Sequence, residues 1–409
     1  MFSRRPRPLP IALLLLAVIT LAMNLRAPLV AVGPVVGMIR DELGISGSLM
    51  GFITALPLLA FALFALGAAP LARRIGIENV LTLSAGVMLV GLGIRSGASG
   101  VGALILGTAL LSAGIAMGNV LLPALVKKKL PQRIGLMVGL ISATMSAAST
   151  VSAAIAVPLA QWQNWRWPLG VWMMTAAVAG LAWLRLRATD SDPDDMPADA
   201  AAQQKLPVWR MPAAWAVSLC MGLQSVIFYG VVSFLPSVLM EKGMSALAAG
   251  AWGSAFQGTS LIGVLAISAL FGRHQRLLQP IGLVIALVLL AGVTGIWQGD
   301  AGSMWLWVSL LGIGAAGLFS LSLMLFAART TSAPDAAALS GMAQAVGYAI
   351  AILGPQGMGF LYDQLGSWVD TMPLLVVLAA IECVIVWFAS SPRPLTAPVT
   401  GTSTAGTTG

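Results

Sequence analysis

Long apolar stretches are the feature that most constrains what this chain can fold into. Twelve of them follow one another along its 409 residues, each close to the roughly 20 residues that cross a bilayer as a helix. Only 9% of the residues are charged, against about 25% in soluble domains. We therefore predict an all-α membrane protein with twelve transmembrane helices and no appended soluble domain. The predicted spans are 10–38, 48–71, 79–96, 102–126, 135–160, 167–186, 213–240, 246–271, 278–297, 303–327, 337–361 and 371–389.

The basic residues predict the orientation of these helices. Of the 22 Lys and Arg residues, 17 fall at the two chain ends or in loops on the same side of the membrane. Positively charged loops stay in the cytoplasm, so both termini are predicted to be cytoplasmic. The net charge of +8 then follows from topology, and we predict no nucleic-acid partner. Four basic residues are placed in segments on the other side, namely Arg40, Arg95, Arg166 and Lys242.

A polar stretch divides the spans into two groups of six. We interpret it as a solvated linker, with a regulatory site as the alternative. Its acidic run consists of Asp190, Asp192, Asp194, Asp195 and Asp199. The predicted organisation is an N-terminal six-helix bundle (1–187), a cytoplasmic acidic linker (188–209), a C-terminal six-helix bundle (210–390) and a disordered tail (391–409).

The two halves share weak internal similarity. Lys127 lies 12 residues before Gly139, and Arg329 lies 12 residues before Gly341. Both pairs flank the loop that follows the fourth helix of a half. Two parallel six-helix repeats are the architecture of a large class of transporters. The repeat therefore favours a transporter with a binding site near the middle of the membrane, between the halves.

Residues that could hold a metal or a covalent intermediate are scarce. The single histidine, His274, lies in a basic loop, and Cys220 and Cys383 lie inside apolar stretches. A metal site needs several such ligands together, so we predict no metal and no cofactor. The sequence shows no paired carboxylates or activated nucleophile at membrane depth, and we predict that the chain is not an enzyme. It also contains no nucleotide-binding motif G-x-x-x-x-G-K-[ST].

Arg26 is the most informative single residue. It lies near the middle of the first predicted span, where a charge costs about 2.5–3.5 kcal/mol on insertion scales. Arginine does not lose its proton in proteins, so the charge must face a partner, water or a ligand. We predict that Arg26 binds substrate. The alternatives are pairing with Glu382, which is the one intramembrane carboxylate of the sequence, and contact with backbone or helix-end carbonyls.

Two asparagines repeat one arrangement. Asn24 lies four residues before Pro28, and Asn119 lies four residues before Pro123. Proline removes the hydrogen bond to the carbonyl four residues earlier, so each site offers an amide and a free carbonyl. We predict both as substrate-binding residues, with a kink satisfied by neighbouring helices as the alternative. Asn24 and Arg26 differ by about 200° around a regular helix, so both face one cavity only if Pro28 bends the helix.

Amides and phenols complete the predicted binding set. A cavity built from such groups and one arginine suits a small planar polar or anionic solute. The alternative for each residue is an ordinary hydrogen bond between membrane helices. These further candidates are Gln224, Tyr229, Gln257, Gln344 and Tyr348. Glu382 could titrate, and we predict it as the residue that couples transport to a proton gradient.

The loop after the second span resembles a known family motif. It reads Gly67-Ala-Ala-Pro-Leu-Ala-Arg73-Arg74-Ile-Gly76 and is similar to G-x-L-A-D-R-x-G of the major facilitator superfamily. Arg74 and Gly76 match, whereas Arg73 replaces the aspartate of the motif. The resemblance implies a gating role for Gly67, Arg73, Arg74 and Gly76, without the salt bridge that the aspartate forms.

Four further segments resemble one branch of that superfamily. They are Asn24-Leu25-Arg26, Thr54–Leu63, Gly118–Lys127 and Ala338–Tyr348. These segments are similar to the cyanate and 2-nitroimidazole porter family, and most to its 2-nitroimidazole exporter branch. The resemblance implies a secondary active transporter of the bacterial inner membrane that moves a nitroimidazole-like or cyanate-like solute by alternating access. A facilitator or uniporter of another solute, or a transporter-derived sensor, is the alternative. We predict a monomer.

Overall fold

The computed structural model describes residues 11–45, 47–189, 206–273 and 277–395. Over this part of the chain, the backbone forms α-helices and short 3-10 turns, with no strand. Twelve helical segments of the described chain are long and apolar enough to cross a membrane, which confirms the predicted number of spans. Most of the predicted linker and tail lies outside the described residues.

The first six spans are built from nine helices. The first span is broken into three helices, α1 to α3, and the sixth span into two, α8 and α9. The bounds are α1 Ile11–Asn24, α2 Ala27–Val30, α3 Val36–Leu43, α4 Gly47–Ile75, α5 Ile77–Ser96, α6 Val101–Lys129, α7 Ile134–Trp162, α8 Arg166–Gly170 and α9 Met173–Thr189.

The last six spans are built from seven helices. Only the eleventh span is broken, into α14 and α15. The bounds are α10 Pro212–Glu241, α11 Ala246–Arg273, α12 Leu278–Gln298, α13 Met304–Ala328, α14 Ala333–Ala351, α15 Leu353–Leu365 and α16 Met372–Ala389.

Glycines let the third and fourth membrane spans of each half approach closely. A Cβ added at Gly91 of α5 would lie 2.9 Å from the carbonyl oxygen of Gly107 of α6. In the second half, a Cβ added at Gly314 of α13 would lie 2.6 Å from the Cα of Leu289 of α12. Close backbone approach of this kind provides van der Waals attraction in lipid, where the hydrophobic effect between helices is weak. The two halves therefore have the same number of spans, and both pack their third and fourth spans through glycines.

The halves contact each other mainly through two helix pairs, α4 with α14 and α7 with α11, and further contacts join α6 to α13 and α14 and α7 to α13. A Cβ added at Gly341 of α14 would lie 3.0 Å from the carbonyl oxygen of Ala65. A Cβ added at Gly139 of α7 would overlap the side chain of Ser268. Each glycine comes early in a helix that begins on the side to which the charge distribution assigns both termini. We call that side of the bundle the predicted cytoplasmic end.

Lys127 joins the halves at the predicted cytoplasmic end. Its Nζ, in the last turn of α6, donates hydrogen bonds to the carbonyl oxygens of Ala327 and Thr330 at the end of α13. The last carbonyls of a helix lack partners within the helix and carry partial negative charge, so they favour a cation. In this structure the halves are therefore tied together at the predicted cytoplasmic end.

One basic residue that the sequence assigns to the outer side points into the bundle. Arg95 ends the third predicted span on that side, and in the structure it lies in the last turn of α5 and is 0% exposed. Its Nη2 donates to the carbonyl oxygen of Pro28 at 2.7 Å. Hydropathy placed Arg95 outside because it ends an apolar run. Its long side chain instead reaches back into the bundle and binds the broken part of the first span.

Candidate functional site

A small cavity lies between the two halves, at the level where the first span is broken. Its volume is about 40 Å³. Since one water needs about 10–15 Å³ on this measure, the cavity has room for a few water molecules. A ring-sized solute fits only if side chains rotate or the halves separate. Besides the polar and aromatic residues described below, the wall contains Leu25, Leu29, Met145 and Ala316.

The break in the first span turns Arg26 into this cavity. The helix α1 ends at Asn24, and Arg26 has φ −139° and ψ −42°, outside the helical range. Neighbouring helices hold the carbonyls that follow. Ser152 Oγ donates to the carbonyl oxygen of Ala27 at 2.7 Å, and Arg95 binds that of Pro28. Irregular backbone at membrane depth is tolerated where it is held in this way or lines a cavity.

Arg26 meets aromatic faces and no acid. Its guanidinium carbon lies 4.5 Å from the centroid of the Phe228 ring and 5.9 Å from that of Phe319. A cation over an aromatic face gains about 0.5–2 kcal/mol, more where water is excluded. Among the described residues, none accepts a hydrogen bond from Arg26 or pairs with its charge. The N–H groups of Arg26 are therefore available to a ligand in the cavity.

Four other predicted residues line the same cavity. Asn119, Tyr229 and Tyr348 lie in its wall, and their side chains make no hydrogen bond to another described residue. Gln224 also lines it, but its amide is already committed. Its Nε2 donates to the carbonyl oxygen of Ala315 at 2.9 Å, and its Oε1 accepts from Ser225 Oγ at 3.3 Å. The cavity thus presents a cation, an amide and two phenols to a solute.

Aromatic rings form much of the remaining wall, and the sequence did not predict them as binding residues. They are Phe61, Phe228 and Phe319. The Phe61 ring lies 4.9 Å from that of Tyr348, and the Phe228 ring lies 5.2 Å from that of Tyr229. Phe61 falls inside one of the four family-like segments, which was a usable signal. A phenylalanine on an apolar membrane helix otherwise gives no sign of whether it faces lipid, core or cavity.

Comparisons with known proteins show which family the chain belongs to. The family model described as Major Facilitator Superfamily matches residues 12–355. The chain belongs to the major facilitator superfamily. It is a multi-pass membrane transporter, and solved structures of that superfamily share its fold. The proton:xylose symporter XylE matches with a TM-score of 0.75 at 14% identity, over 96% of this chain and 98% of that chain. FucP in the outward conformation matches with a TM-score of 0.70 at 12% identity, over 93% and 99%.

Curated relatives are similar over nearly their whole length. An "Uncharacterized transporter YycB" of Bacillus subtilis (strain 168) is 37% identical, over 90% of each chain. A "2-nitroimidazole transporter" of Escherichia coli (strain K12) is 35% identical, over 89% of this chain and 91% of that protein. The "Cyanate transport protein CynX" of the same organism is 28% identical, over 87% and 91%. The branch that the sequence resembled is thereby confirmed.

Three predicted binding residues of this transporter do not line the cavity. Asn24 is 0% exposed, and its Nδ2 donates to the carbonyl oxygen of Thr20 at 2.9 Å and to Thr175 Oγ1 at 2.8 Å. Gln344 donates to Ser340 Oγ at 2.9 Å within α14. Gln257 is partly buried in α11 and is also absent from the cavity wall. The break after Asn24 explains why it faces α9 while Arg26 faces the cavity.

Glu382 lies apart from the cavity, inside the second half of the transporter. It is 0% exposed in α16 and lies beside the Cys220 thiol of α10. Neither carboxyl oxygen meets hydrogen-bond geometry with a partner among the described residues. The described chain also offers Glu382 no basic partner. A buried carboxyl without a cation is costly when charged, so its proton occupancy depends on what surrounds it.

The family-like loop adopts the turn that its glycine permits. Gly76 connects α4 to α5 with φ +88°, a backbone conformation that side chains with a Cβ rarely adopt. Arg73 and Arg74 are exposed in the last turn of α4, and neither forms an ion pair with a described residue. Gly67 lies further back in α4, and an added Cβ there would meet open space. Hydrogen bonds across the halves at this end are donated by Lys127.

Proposed function

We propose that the cavity binds a small planar solute that carries a negative charge or strongly polar atoms. Arg26 recognises the charge or polar edge, Asn119, Tyr229 and Tyr348 orient the solute, and the phenylalanine rings cover its faces. Transport proceeds by alternating access, in which the halves rock about this cavity. The orienting groups are proposed because their side chains face the cavity with hydrogen-bonding capacity to spare.

One observation carries this proposal, the unpaired Arg26 between aromatic faces. Burying a guanidinium at membrane depth costs free energy, and charged residues found there usually have a function. Placing it over Phe228 rather than beside a carboxylate keeps its N–H groups free and lowers the cost of burying its charge. The named relatives support a solute of this class, since 2-nitroimidazole is a planar ring with polar substituents and cyanate is a small linear anion.

The test is ligand-induced thermal stabilisation of the purified protein in detergent. The ligands are 2-nitroimidazole, imidazole and cyanate, and the proteins are wild type, Arg26→Gln and Gln257→Ala. A ligand that binds the native state raises the melting temperature by an amount that grows with the logarithm of its concentration divided by Kd. Loss of a charged hydrogen-bond donor should weaken binding about tenfold to a hundredfold in Arg26→Gln. Gln257→Ala, whose side chain lies outside the cavity wall, should respond like wild type.

The opposite result has a clear meaning. If Arg26→Gln is folded and binds every ligand as well as wild type does, Arg26 is a structural residue and the proposed cavity chemistry is wrong. If Gln257→Ala loses binding while Arg26→Gln keeps it, the solute binds along α11 and not in the cavity described above.

We also propose that protons drive transport and that Glu382 carries them. Support comes from the burial of Glu382 without a cation and from two proton symporters that share the fold of this chain, XylE and FucP. In proteoliposomes, Glu382→Gln should abolish accumulation driven by a pH gradient and should keep solute counterflow, which needs no net proton movement. Full gradient-driven accumulation by Glu382→Gln would exclude this role, and coupling would then use another site.

Membrane orientation is part of the same proposal. We propose that the chain lies in the bacterial inner membrane as a monomer with both termini cytoplasmic, because 17 basic residues were assigned to that side. Reporter fusions at the two ends and in the loop between α10 and α11 test this orientation. A cytoplasmic reporter that is active at the α10–α11 loop would reverse it.

A further inference from the structure

A second cavity lies at the predicted cytoplasmic end, between the start of α10 and the end of α16. Its volume is about 890 Å³, more than twenty times that of the central cavity. The residues that give it character are Trp209, Arg210, Trp215, Arg329, Phe388 and Arg393. We call it the basic groove. None of its residues belongs to the proposed solute site.

The basic groove concentrates positive charge without a counter-charge. Arg210 and Arg393 are exposed, and neither pairs with an acid among the described residues. Arg329 is only 4% exposed, and its Nε has no hydrogen-bond partner. Its Nη1 binds the carbonyl oxygens of Ala389 at 3.3 Å and Ser391 at 2.7 Å, which are neutral groups. No Asp or Glu occurs among the described residues that line the groove.

The other side of the basic groove is apolar and aromatic. Phe388 is 61% exposed, Trp209 49% and Trp215 38%. Trp215 Nε1 donates to the carbonyl oxygen of Trp209 at 2.9 Å, which fixes the two indoles edge to face. Tryptophans at helix ends lie at the boundary between headgroups and acyl chains. The groove therefore combines an arginine cluster at headgroup level with an aromatic wall that faces the bilayer.

We propose that the basic groove binds one anionic phospholipid. Its phosphate contacts Arg210 and Arg393, with the charge of Arg329 behind them, and one acyl chain lies along Trp215 and Phe388. Guanidinium groups bind phosphate oxygens through paired hydrogen bonds. Basic pockets between membrane helices on the cytoplasmic side are suited to lipid headgroups. The volume and the aromatic wall favour a lipid over free phosphate, which would fill a small part of the groove and leave the wall uncovered.

The experiment measures lipid binding to the full-length protein in detergent. Native mass spectrometry counts bound lipid, and the melting temperature is followed as phosphatidylglycerol, phosphatidylcholine or inorganic phosphate is added. Wild type should bind one phosphatidylglycerol and be stabilised by it, with little response to the other two. Each arginine near a lipid surface contributes about 1 kcal/mol, so Arg210→Gln with Arg393→Gln should weaken phosphatidylglycerol binding about 30-fold.

Two matched variants separate a site from general attraction. Arg74→Gln with Arg133→Gln removes the same charge from exposed residues outside the groove and should bind phosphatidylglycerol like wild type. Arg210→Lys with Arg393→Lys keeps the charge and should retain most of the binding. Because Arg210 and Arg393 are exposed and have no ion-pair partner among the described residues, these replacements should leave the protein folded.

Three outcomes would overturn the proposal. The first is equal loss of binding in the groove and control variants, which would mean attraction without a site. The second is stabilisation by inorganic phosphate equal to that by phosphatidylglycerol, which would mean an anion site. The third is binding that appears only after the five aspartates of the 190–199 segment are changed to asparagine. In that case the chain itself would occupy the groove.

Discussion

Two loops at the predicted cytoplasmic end begin with the same arrangement and use it differently. In the first half Lys127 precedes Gly139 by 12 residues, and in the second half Arg329 precedes Gly341 by 12 residues. Both cations cap the carbonyls at the end of a helix. Lys127 caps α13, which belongs to the other half, whereas Arg329 caps the end of α16 in its own half.

Arg329 therefore stabilises one half, whereas Lys127 stabilises the contact between the two halves. A bond within one half persists when the halves rock, so it contributes to the stability of every state. A bond across the halves exists only while they are closed at that end, so it contributes to the equilibrium between states. A ligand or a residue shifts a conformational equilibrium only by the amount that it stabilises one state over the other. The internal repeat thus shows that Lys127 and Arg329 occupy equivalent positions, but it does not show whether each bonds within its half or across the halves.

Replacing Arg329 should give the largest change in stability. Arg329→Gln removes two charge-assisted hydrogen bonds to carbonyls at the end of α16, and each such bond contributes about 1.5–3 kcal/mol. We expect the free energy of unfolding in detergent to fall by about 3 kcal/mol, with no change in the distance between the halves. Arg329→Lys is the control and should recover part of the loss. A fall below about 1 kcal/mol would mean that Arg329 does not hold α16.

The glycines of the two loops should differ in how they can be rescued. In Gly139→Ala the new Cβ overlaps the side chain of Ser268, and such overpacking costs about 1–3 kcal/mol. We expect spin-label distances across the halves at the predicted cytoplasmic end to lengthen. Adding Ser268→Gly should restore them, because it removes the group that the Cβ meets.

Gly341 provides the matched comparison. Its added Cβ would approach the backbone oxygen of Ala65, at 3.0 Å, and no side-chain truncation can remove that atom. Gly341→Ala should therefore also lengthen the distances and should not be rescued by Ser268→Gly. Rescue of both variants by the same change would show that the two contacts do not act separately.

Lys127 should control the state of the transporter more than its stability. Lys127→Met removes the two hydrogen bonds to Ala327 and Thr330 across the halves, which together should stabilise the closed state by at least about 1.5–3 kcal/mol. The population open at the predicted cytoplasmic end should rise, while the melting temperature changes little. Lys128→Met is the control, because Lys128 pairs with Glu78 of its own half at 2.9 Å. Equal shifts in both variants would point to a general charge effect at this end.

The smallest effect is expected at Glu78. This carboxylate of α5 pairs with Lys128 at 2.9 Å and Lys129 at 3.4 Å, all within the first half. Partly exposed ion pairs contribute about 0.2–1 kcal/mol and are weakened by salt. Glu78→Gln should therefore lower stability by about 0.5 kcal/mol at low salt and less at high salt, with unchanged distances between the halves. A longer distance would extend the role of Lys127 to the whole basic cluster.

Part of the candidate site could be predicted from the sequence, because burying a charge in lipid has a known cost. Arg26 was identified on that ground alone, and it lies in the cavity wall. Gln344 and Tyr348 are four residues apart and therefore share one face of a helix. Tyr348 nevertheless lines the cavity, whereas Gln344 bonds to Ser340. A cavity has limited depth, and the sequence gives the angle of a residue around its helix but not its height relative to other helices.

Asn24 and Arg95 show the same limit at the break in the first span. Residue order predicted that Asn24 and Arg26 could share a cavity only if the helix bent at Pro28. The helix does break before Pro28. The break directs Arg26 to the cavity and leaves the side chain of Asn24, at the end of α1, bonded to Thr175 of α9. Arg95, which the sequence places at the outer end of its span, donates to the carbonyl oxygen of Pro28. Contacts between distant helices decided the direction of each side chain.

The sequence by itself determined the twelve spans and the need for a partner around Arg26, because both follow from the cost of placing polar groups in hydrocarbon. Its motifs also resembled those of the superfamily. The tertiary structure alone decided that this partner is a pair of phenylalanine rings, that Arg95 supports the broken helix, and that Lys127 rather than Arg329 bridges the halves. The physical reason is that hydropathy acts on each helix separately, whereas rotation, tilt and depth are set only when the helices pack against one another.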